Sequence, residues 1–224
     1  MIANFDDEIN VKYEEITDKN PLNPTLNPTL NQASIDKGHI KIRNRPETII
    51  HDKPQPPFPI HEKSSIISGF GRGSSELGIP TANIPIQDEL NNLQTGIFYG
   101  WSKIHPNPNL KDSTEKRIDG NEIIFNHGNK LIAKELCIFP MVMSIGWNPF
   151  YDNKQKAAEI HIINKFNDNF YGAKIEYIVL GYIRPELNYT TKEALIKDIN
   201  LDIKIAKEIL SKPEYEKYKD ELKD

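Results

Sequence analysis

The residues best suited to chemistry lie in one short segment, residues 69–83, which reads GFGRGSSELGIPTAN. Four of these residues are glycines, and Arg72 adds a fixed positive charge. Glycine leaves backbone N–H groups free to turn towards an anion, because no Cβ blocks their approach. The segment therefore predicts a phosphate-binding loop, and the alternative is a tight turn at the corner of a β-barrel.

Two familiar phosphate-binding motifs do not fit this segment. The dinucleotide motif Gly-x-Gly-x-x-Gly fails from Gly69 and from Gly71, because a serine and a glutamate stand where its last glycine belongs. Gly73 and Gly78 have the spacing of a Walker A loop, but Ile-Pro follows them where Lys-Ser or Lys-Thr is required. Neither a Rossmann loop nor a P-loop is predicted.

The end of the segment, Pro-Thr-Ala-Asn at residues 80–83, indicates a metal site. Pro80 restricts the backbone, and in an extended chain Thr81 and Asn83 project to the same side. A hydroxyl and an amide oxygen suit a hard cation, and Mg²⁺ takes oxygen ligands that include water and phosphate. Thr81 and Asn83 are therefore candidate ligands of a nucleotide-bound cation.

The elements that must position these residues are mainly strands. Short strand-like runs separated by turn residues begin near Pro57 and cover 64–68, 95–104, 141–147, 158–163 and 174–183. In the fourth run Glu159 and His161 share one face. Strands that are followed by one late helix are typical of a small closed or sandwich-like β-structure capped by a helix.

The late helix is predicted from a capping box and an apolar stripe. Thr190 and Glu193 have the spacing of the box. The stripe that follows consists of Ile196, Ile199, Ile203, Ala206 and Leu210, and Pro213 ends the helix. The charged residues between them, including Asp198 and Asp202, are interpreted as a solvent-exposed face.

Two parts of the chain differ from this pattern. Residues 1–56 contain a repeated Asn-Pro-Thr-Leu and further prolines, and they bury too little apolar surface to offset the entropy of ordering. We therefore expect a disordered or surface-draped extension, with the folded domain at 57–224. Within that domain, the polar residues 105–138 predict an inserted hairpin or flap, in which 123–125 pair with 131–132.

Composition excludes several classes of protein. The formal net charge is −4 and no basic block stands out, so nucleic-acid binding is not expected. The single cysteine, Cys137, is expected to be a small buried residue. No apolar run approaches the ~18 residues of a membrane span, and no signal peptide begins the chain. We expect a monomeric intracellular protein in the cytoplasm, with mitochondrial location or membrane association as alternatives.

Taken together, several stretches resemble the riboflavin kinases, in their eukaryotic single-function form. They follow the family's order over roughly residues 57–210 and comprise Gly-Phe-Gly-Arg-Gly-Ser (69–74), Leu-Gly-Ile-Pro-Thr-Ala-Asn (77–83), Thr-Gly-Ile-Phe-Tyr-Gly-Trp (95–101), Ser-Ile-Gly-Trp-Asn-Pro-Phe-Tyr (144–151), Glu-Ile-His-Ile (159–162), Phe-Tyr-Gly (170–172) and Gly-Tyr-Ile-Arg-Pro-Glu (181–186). The resemblance implies a mainly β fold, a six-stranded Greek-key β-barrel with a C-terminal α-helix. It also implies transfer of the γ-phosphate of ATP to the 5′-hydroxyl of riboflavin, which gives FMN and ADP.

The resemblance also implies roles for individual residues. Thr81 and Asn83 bind the metal, expected to be Mg²⁺ with Zn²⁺ or Mn²⁺ as alternatives, and Glu159 is the catalytic base beside the flavin. The other flavin-binding residues, in a loop that closes over the flavin, are Arg184, Leu187 and Tyr189. The ATP-binding residues are Gly69, Gly71, Arg72, Gly73, Ser75, Thr81, Ile162, Asn164 and Phe170. Ser75 stands where some relatives carry lysine, so its phosphate contact is open.

The residue pattern also allows other interpretations of Glu159, of Arg184 and of the whole chain. By periodicity alone, Glu159 belongs to a solvent-exposed strand face, and the alternative for Arg184 is an exposed salt bridge with Glu186 or a neighbouring residue. For the whole chain, the main alternative is a flavin-binding barrel module without kinase activity, which would need no metal. A barrel that binds nucleic acid is disfavoured by the acidic balance of charge.

Overall fold

A six-stranded antiparallel sheet forms the centre of this protein, whose structure is a computed structural model. The structure describes residues 44–69, 77–86, 88–117, 119–147 and 155–223, together with the backbone of 33–36 and 39–42. In chain order the strands are β1 (Ala33–Asp36), β2 (His39–Ile42), β3 (Ile60–Ser65), β4 (Ala82–Ile84), β5 (Gly96–His105), β6 (Ser113–Lys116), β7 (Glu122–Phe125), β8 (Phe139–Trp147), β9 (Lys156–Ile162) and β10 (Lys174–Arg184). The helices are α1 (Asp88–Asn92), α2 (Lys192–Leu210) and α3 (Pro213–Glu216), with 3₁₀ turns at Ala133–Glu135 and Lys217–Leu222.

The order of strands in the sheet is β3-β10-β5-β8-β9-β4. Strands β5, β8 and β9 follow one another through the sheet, and β10 returns to lie beside β5, which is the Greek-key arrangement. The sheet curls into a half-barrel, and the N–H of Ile67, just after β3, donates to the carbonyl of Asn83 on β4 at 2.9 Å. The predicted mainly β fold with a C-terminal helix is confirmed.

Alternation along the strands gives the sheet an apolar cluster on each face. The inner cluster includes Phe98, Met143, Ile160 and Tyr177, which are all almost completely buried. The outer cluster includes Tyr99, Trp101, Val142, Ile178, Leu180, Ala206, Ile209 and Leu210, so α2 covers this outer face. Burial of each large apolar side chain stabilises the fold by about 1.5–3 kcal/mol. The inner face of the sheet therefore holds the core, and the outer face holds α2 with space for a site beside it.

The cap of α2 lies one residue later than the capping box predicts. The hydroxyl of Thr191 accepts a hydrogen bond from the N–H of Ala194 at 3.2 Å, so Glu193 does not occupy the third helical position. Thr190 and Thr191 are adjacent, so the sequence alone does not decide which of them caps α2. No helix among the described residues is both long and apolar enough to cross a membrane.

The insertion at residues 105–138 does contain a hairpin, but the predicted pairing within it is wrong. Strand β7 pairs with β6, so Phe125 lies opposite Ser113 rather than pairing with residues 131–132. Asn126 explains the difference, because its buried amide donates to the carbonyl of Asn169 at 2.7 Å and accepts from the N–H of Gly128 at 2.9 Å. This side chain turns the chain away after β7.

Two further regions bear on the predictions. Cys137 is exposed rather than buried, because it lies in a surface turn just after the 3₁₀ turn at Ala133–Glu135. Within residues 1–56, β1 and β2 form an antiparallel hairpin, and Tyr215 donates a hydrogen bond from its hydroxyl to the carbonyl of His51 at 3.1 Å. The domain boundary near residue 57 stays a prediction.

A buried carboxylate, Glu176, ties three neighbouring strands together. Its oxygens lie 2.9 Å from Nε2 of His61 on β3, 3.1 Å from Nζ of Lys63 on the same strand and 3.0 Å from Nε2 of His105 on β5. Burial alone would raise the pKa of Glu176, but hydrogen bonds from His61 and Lys63 outweigh it and lower the pKa below its ordinary value.

Replacing this carboxylate tests its contribution to stability. We expect Glu176→Gln to lower the free energy of unfolding by about 1–3 kcal/mol at neutral pH, because charge-assisted hydrogen bonds are lost. A carboxyl with a lowered pKa stabilises the fold above its unfolded pKa, and this stabilisation disappears as pH falls through the folded pKa. Denaturant unfolding between about pH 7 and pH 3 should show the difference shrinking below about pH 4. A difference independent of pH would contradict this account, and the exposed Glu115→Gln provides the control.

Candidate active site

A cavity of about 270 Å³ lies between the outer face of the sheet and α2. Its walls bring together five of the predicted site residues, the polar Thr81, Glu159, Arg184 and Tyr189 and the apolar Leu187. Its apolar walls include Ile79, Ile97, Val142, Leu195 and Ile199. Concave, largely apolar cavities with a few converging polar groups are typical of small-molecule sites.

The pairing of β4 with β9 assembles the polar end of this cavity. Ala82 and Ile84 are buried in the inner core, so Thr81 and Asn83 project together towards the outer face, as predicted. Asn83 lies directly opposite Glu159 in the register. The hydroxyl of Thr81 donates to Oε2 of Glu159 at 3.0 Å. A hydroxyl and a carboxylate therefore meet at this end of the cavity, with Asn83 at the strand position opposite Glu159, although 78 residues separate Thr81 from Glu159.

Gly69 connects the glycine-rich segment to this group. A Cβ at Gly69 would lie 2.5 Å from Nδ2 of Asn83, so the backbone there packs directly on the Asn83 amide. Only glycine leaves room for that approach without displacing the amide. The other predicted residues of the loop, Gly71, Arg72, Gly73 and Ser75, lie outside the described residues.

His161 fixes the chain just before Thr81. Its Nδ1 lies 2.8 Å from the carbonyl oxygen of Pro80, and because a carbonyl only accepts, Nδ1 carries the proton. Burial lowers the pKa of His161, whereas the hydrogen bond to Pro80 acts in the opposite direction. Among the residues that the structure describes, no three His, Cys, Asp or Glu side chains converge as metal ligands.

Arg184 occupies a different environment from the one predicted. It is the last residue of β10 rather than part of a mobile loop, and its side chain is 2% exposed. Its Nε and Nη2 donate to the carboxylate of Asp202 on α2, with the shortest contact at 2.6 Å. The alternative of an exposed salt bridge with Glu186 is also wrong, because the charge partner is the buried Asp202.

Asp198 and Asp202 correct the prediction that the charges of α2 face solvent. Asp198 accepts a hydrogen bond from the hydroxyl of Tyr189 at 2.9 Å, and both aspartates are buried. Burial raises the pKa of Tyr189, and its hydrogen bond to Asp198 adds to the shift. The only sequence signal for this pair was its i, i+4 spacing beside the apolar stripe, since its cationic partners lie far away in the chain.

Three predicted ATP-binding residues lie away from this cavity. Ile162 belongs to the inner core, and Phe170 packs edge-on against Phe166 with ring centroids 4.8 Å apart. The N–H of Asn164 donates to the carbonyl of Ile162 at 2.7 Å. Their contact with nucleotide stays a prediction.

Comparison with known proteins assigns the chain to a family. The Flavokinase family model, described as riboflavin kinase, matches residues 56–210. The chain belongs to the riboflavin kinase family. It is 68% identical over 179 residues to the riboflavin kinase of Lodderomyces elongisporus, which covers 80% of this chain and 98% of that relative. It is 63% identical over 176 residues to the riboflavin kinase of Scheffersomyces stipitis, which covers 79% of this chain and 98% of that relative.

A solved structure agrees with this assignment at the level of the fold. The crystal structure of riboflavin kinase from Trypanosoma brucei aligns with a TM-score of 0.51 and 23% identity, over 75% of this chain and 88% of that one. The curled sheet with its C-terminal helix is therefore the riboflavin kinase fold.

The contact between Gly69 and Asn83 can be tested by a double substitution. We expect Gly69→Ala to raise the KM for ATP about tenfold, equivalent to 1.4 kcal/mol, because the added methyl displaces the Asn83 amide. In an Asn83→Ala background the same methyl meets no amide, so Gly69→Ala should then have little further effect. Steady-state kinetics of the four proteins provide the measurement, and additive effects of the two substitutions would contradict the coupling.

Proposed function

We propose that the cavity beneath α2 is the site at which this chain transfers the γ-phosphate of ATP to the 5′-hydroxyl of riboflavin, forming FMN and ADP. The observation that carries this proposal is the hydrogen bond between Thr81 and Glu159, because it joins the end of the glycine-rich segment to a carboxylate that faces the cavity. Membership of the riboflavin kinase family supports the same reaction and does not favour a flavin-binding module without kinase activity.

Glu159 is the proposed catalytic base. Its carboxylate is half-buried in the cavity wall and already accepts one hydrogen bond, from Thr81, which orients it. In the reaction it would accept the proton of the 5′-hydroxyl as that oxygen bonds to the γ-phosphorus. A positioned general base contributes about 10²–10⁴ in rate.

Thr81 and Asn83 are the proposed residues that hold a divalent cation together with ATP. Their hydroxyl and amide oxygens are hard, uncharged metal ligands beside the Glu159 carboxylate. This set of ligands suits Mg²⁺, with Zn²⁺ or Mn²⁺ as alternatives. When bound, the cation would neutralise charge on the transferred phosphoryl group. Because the two donors are neutral, the nucleotide's phosphates would provide most of the opposing charge.

The apolar end of the cavity is the proposed place for the isoalloxazine ring. Leu187 and Tyr189 line it from the segment between β10 and α2, opposite the strand residues Ile97 and Val142. The present volume of about 270 Å³ is slightly below the ~300–1,000 Å³ of typical ligand pockets. We infer, as the family resemblance implies, that this segment closes over bound riboflavin. Its closure would exclude water from the reacting oxygen.

A monomeric state and a cytoplasmic location stay predictions.

The decisive substitution is Glu159→Gln. It keeps the size and hydrogen-bonding capacity of the side chain but removes its basicity, so we expect turnover to fall by about 10²–10⁴. The KM for ATP should change little, since Thr81 and Asn83 remain. Formation of FMN from riboflavin and Mg-ATP provides the measurement. Glu193→Gln, at an exposed position in the first turn of α2, controls for the loss of one negative charge. Near-normal turnover of Glu159→Gln would exclude this residue as the base.

A further inference from the structure

A network of four charged side chains lies behind the flavin end of the cavity. Arg184 donates to both carboxylate oxygens of Asp202, which is 2% exposed. Nη2 of Arg45 lies 2.8 Å from the same carboxylate, and Nη1 of Arg45 lies 3.8 Å from that of Asp198 and donates to the Asp198 carbonyl at 3.3 Å. Tyr189 completes the group through its hydrogen bond to Asp198.

Arg45 balances the negative charge of the two aspartates in this network. Asp198 and Asp202 lie one helical turn apart, where like charges repel each other. Arg184 neutralises Asp202, and Arg45 contacts both aspartates, so two positive and two negative groups balance. Removing Arg45 would leave an excess negative charge in a largely buried place, where charges without partners are costly.

The two aspartates hold side chains that line the proposed flavin site. Asp202 fixes the guanidinium of Arg184, and Asp198 fixes the hydroxyl of Tyr189; both of these partners are in the cavity wall. Arg45 itself does not line that cavity, and its side chain is 11% exposed. Its charge partners among the described residues are the two aspartates, so it acts one step removed from any substrate in the cavity.

Arg45 lies in a segment that precedes the part of the chain matched by the family model, residues 56–210. After Arg45 this segment covers a second cavity of about 350 Å³, whose walls include Pro46, Phe58, Tyr182 and Arg184. Arg184 therefore lies between the two cavities, and Arg45 and the His51 carbonyl anchor the segment at either side. The position of this segment is thereby linked to the position of Arg184.

We propose that Arg45 is a positioning residue for riboflavin, which acts through Asp198 and Asp202 to hold Tyr189 and Arg184 at the flavin end of the cavity. This inference rests on the proposed function, because it takes the cavity as the riboflavin site. A residue of the segment before the family-matched domain thus tunes the binding of one substrate. The phosphate end, with Thr81 and Glu159, lies outside the network.

The test compares substrate dependence across three variants. We expect Arg45→Met, which keeps an unbranched stem without the charge, to raise the KM for riboflavin about tenfold, within the range of coupling between linked groups. The KM for ATP and the turnover at saturating riboflavin should stay within about twofold, a split that a general loss of stability would not produce. Arg45→Lys should restore part of the riboflavin affinity, and the exposed Lys53→Met should behave as the unaltered protein.

The outcomes separate this inference from the proposed function. Failure of the unaltered protein to form FMN would contradict the proposed function. Formation of FMN with an unchanged riboflavin KM in Arg45→Met would contradict the positioning role alone, as would an equal change in every kinetic parameter. If Arg45→Met does not fold, as judged by thermal unfolding, Arg45→Lys decides. A raised riboflavin KM with an unchanged ATP KM supports the inference, and an unchanged riboflavin KM overturns it.

Discussion

The pairing of β4 with β9 is the constraint on which the site depends. Strand β4 has three residues, and its two buried side chains, Ala82 and Ile84, anchor it in the inner core. Because side chains alternate along a strand, this anchoring turns Thr81 and Asn83 towards the outer face, where the register places Glu159 opposite Asn83. A shift of the register by one residue would move Glu159 into the core and separate the candidate base from the candidate metal ligands.

The second constraint is the way α2 covers the outer face. Its apolar residues pack beside Tyr99, Val142 and Leu180, while Asp202 faces Arg184 at the end of β10. Burial raises the pKa of Asp202, and the guanidinium groups of Arg184 and Arg45 act in the opposite direction because they favour the ionised carboxylate. The cavity therefore has one end built by strand register, where the phosphates of ATP are proposed to bind, and another built by buried ion pairs, where riboflavin is proposed to bind.

Local patterns in the sequence predicted the parts of this structure that depend on neighbouring residues. Alternation located the principal strands, the 3.6-residue period located α2, and the extended chain at Pro80 predicted the common side of Thr81 and Asn83. The Greek-key order and the approach of Glu159 came only from the family resemblance, because strand pairing is set by distant contacts. The burial of Asp202 was missed for the same reason, since its partners Arg45 and Arg184 lie far away in the chain. The β6–β7 pairing was missed because the turning role of Asn126 depends on its bond to Asn169.

A structure of the protein with riboflavin and Mg-ADP tests the central claim most directly. The claim is that strand register brings a carboxylate and a phosphate-binding segment to one cavity. It predicts the 5′-hydroxyl within hydrogen-bond distance of the Glu159 carboxylate, about 2.6–3.2 Å, with the diphosphate beside Thr81 and Asn83. Riboflavin bound in the second cavity, or a diphosphate remote from Thr81, would contradict the account.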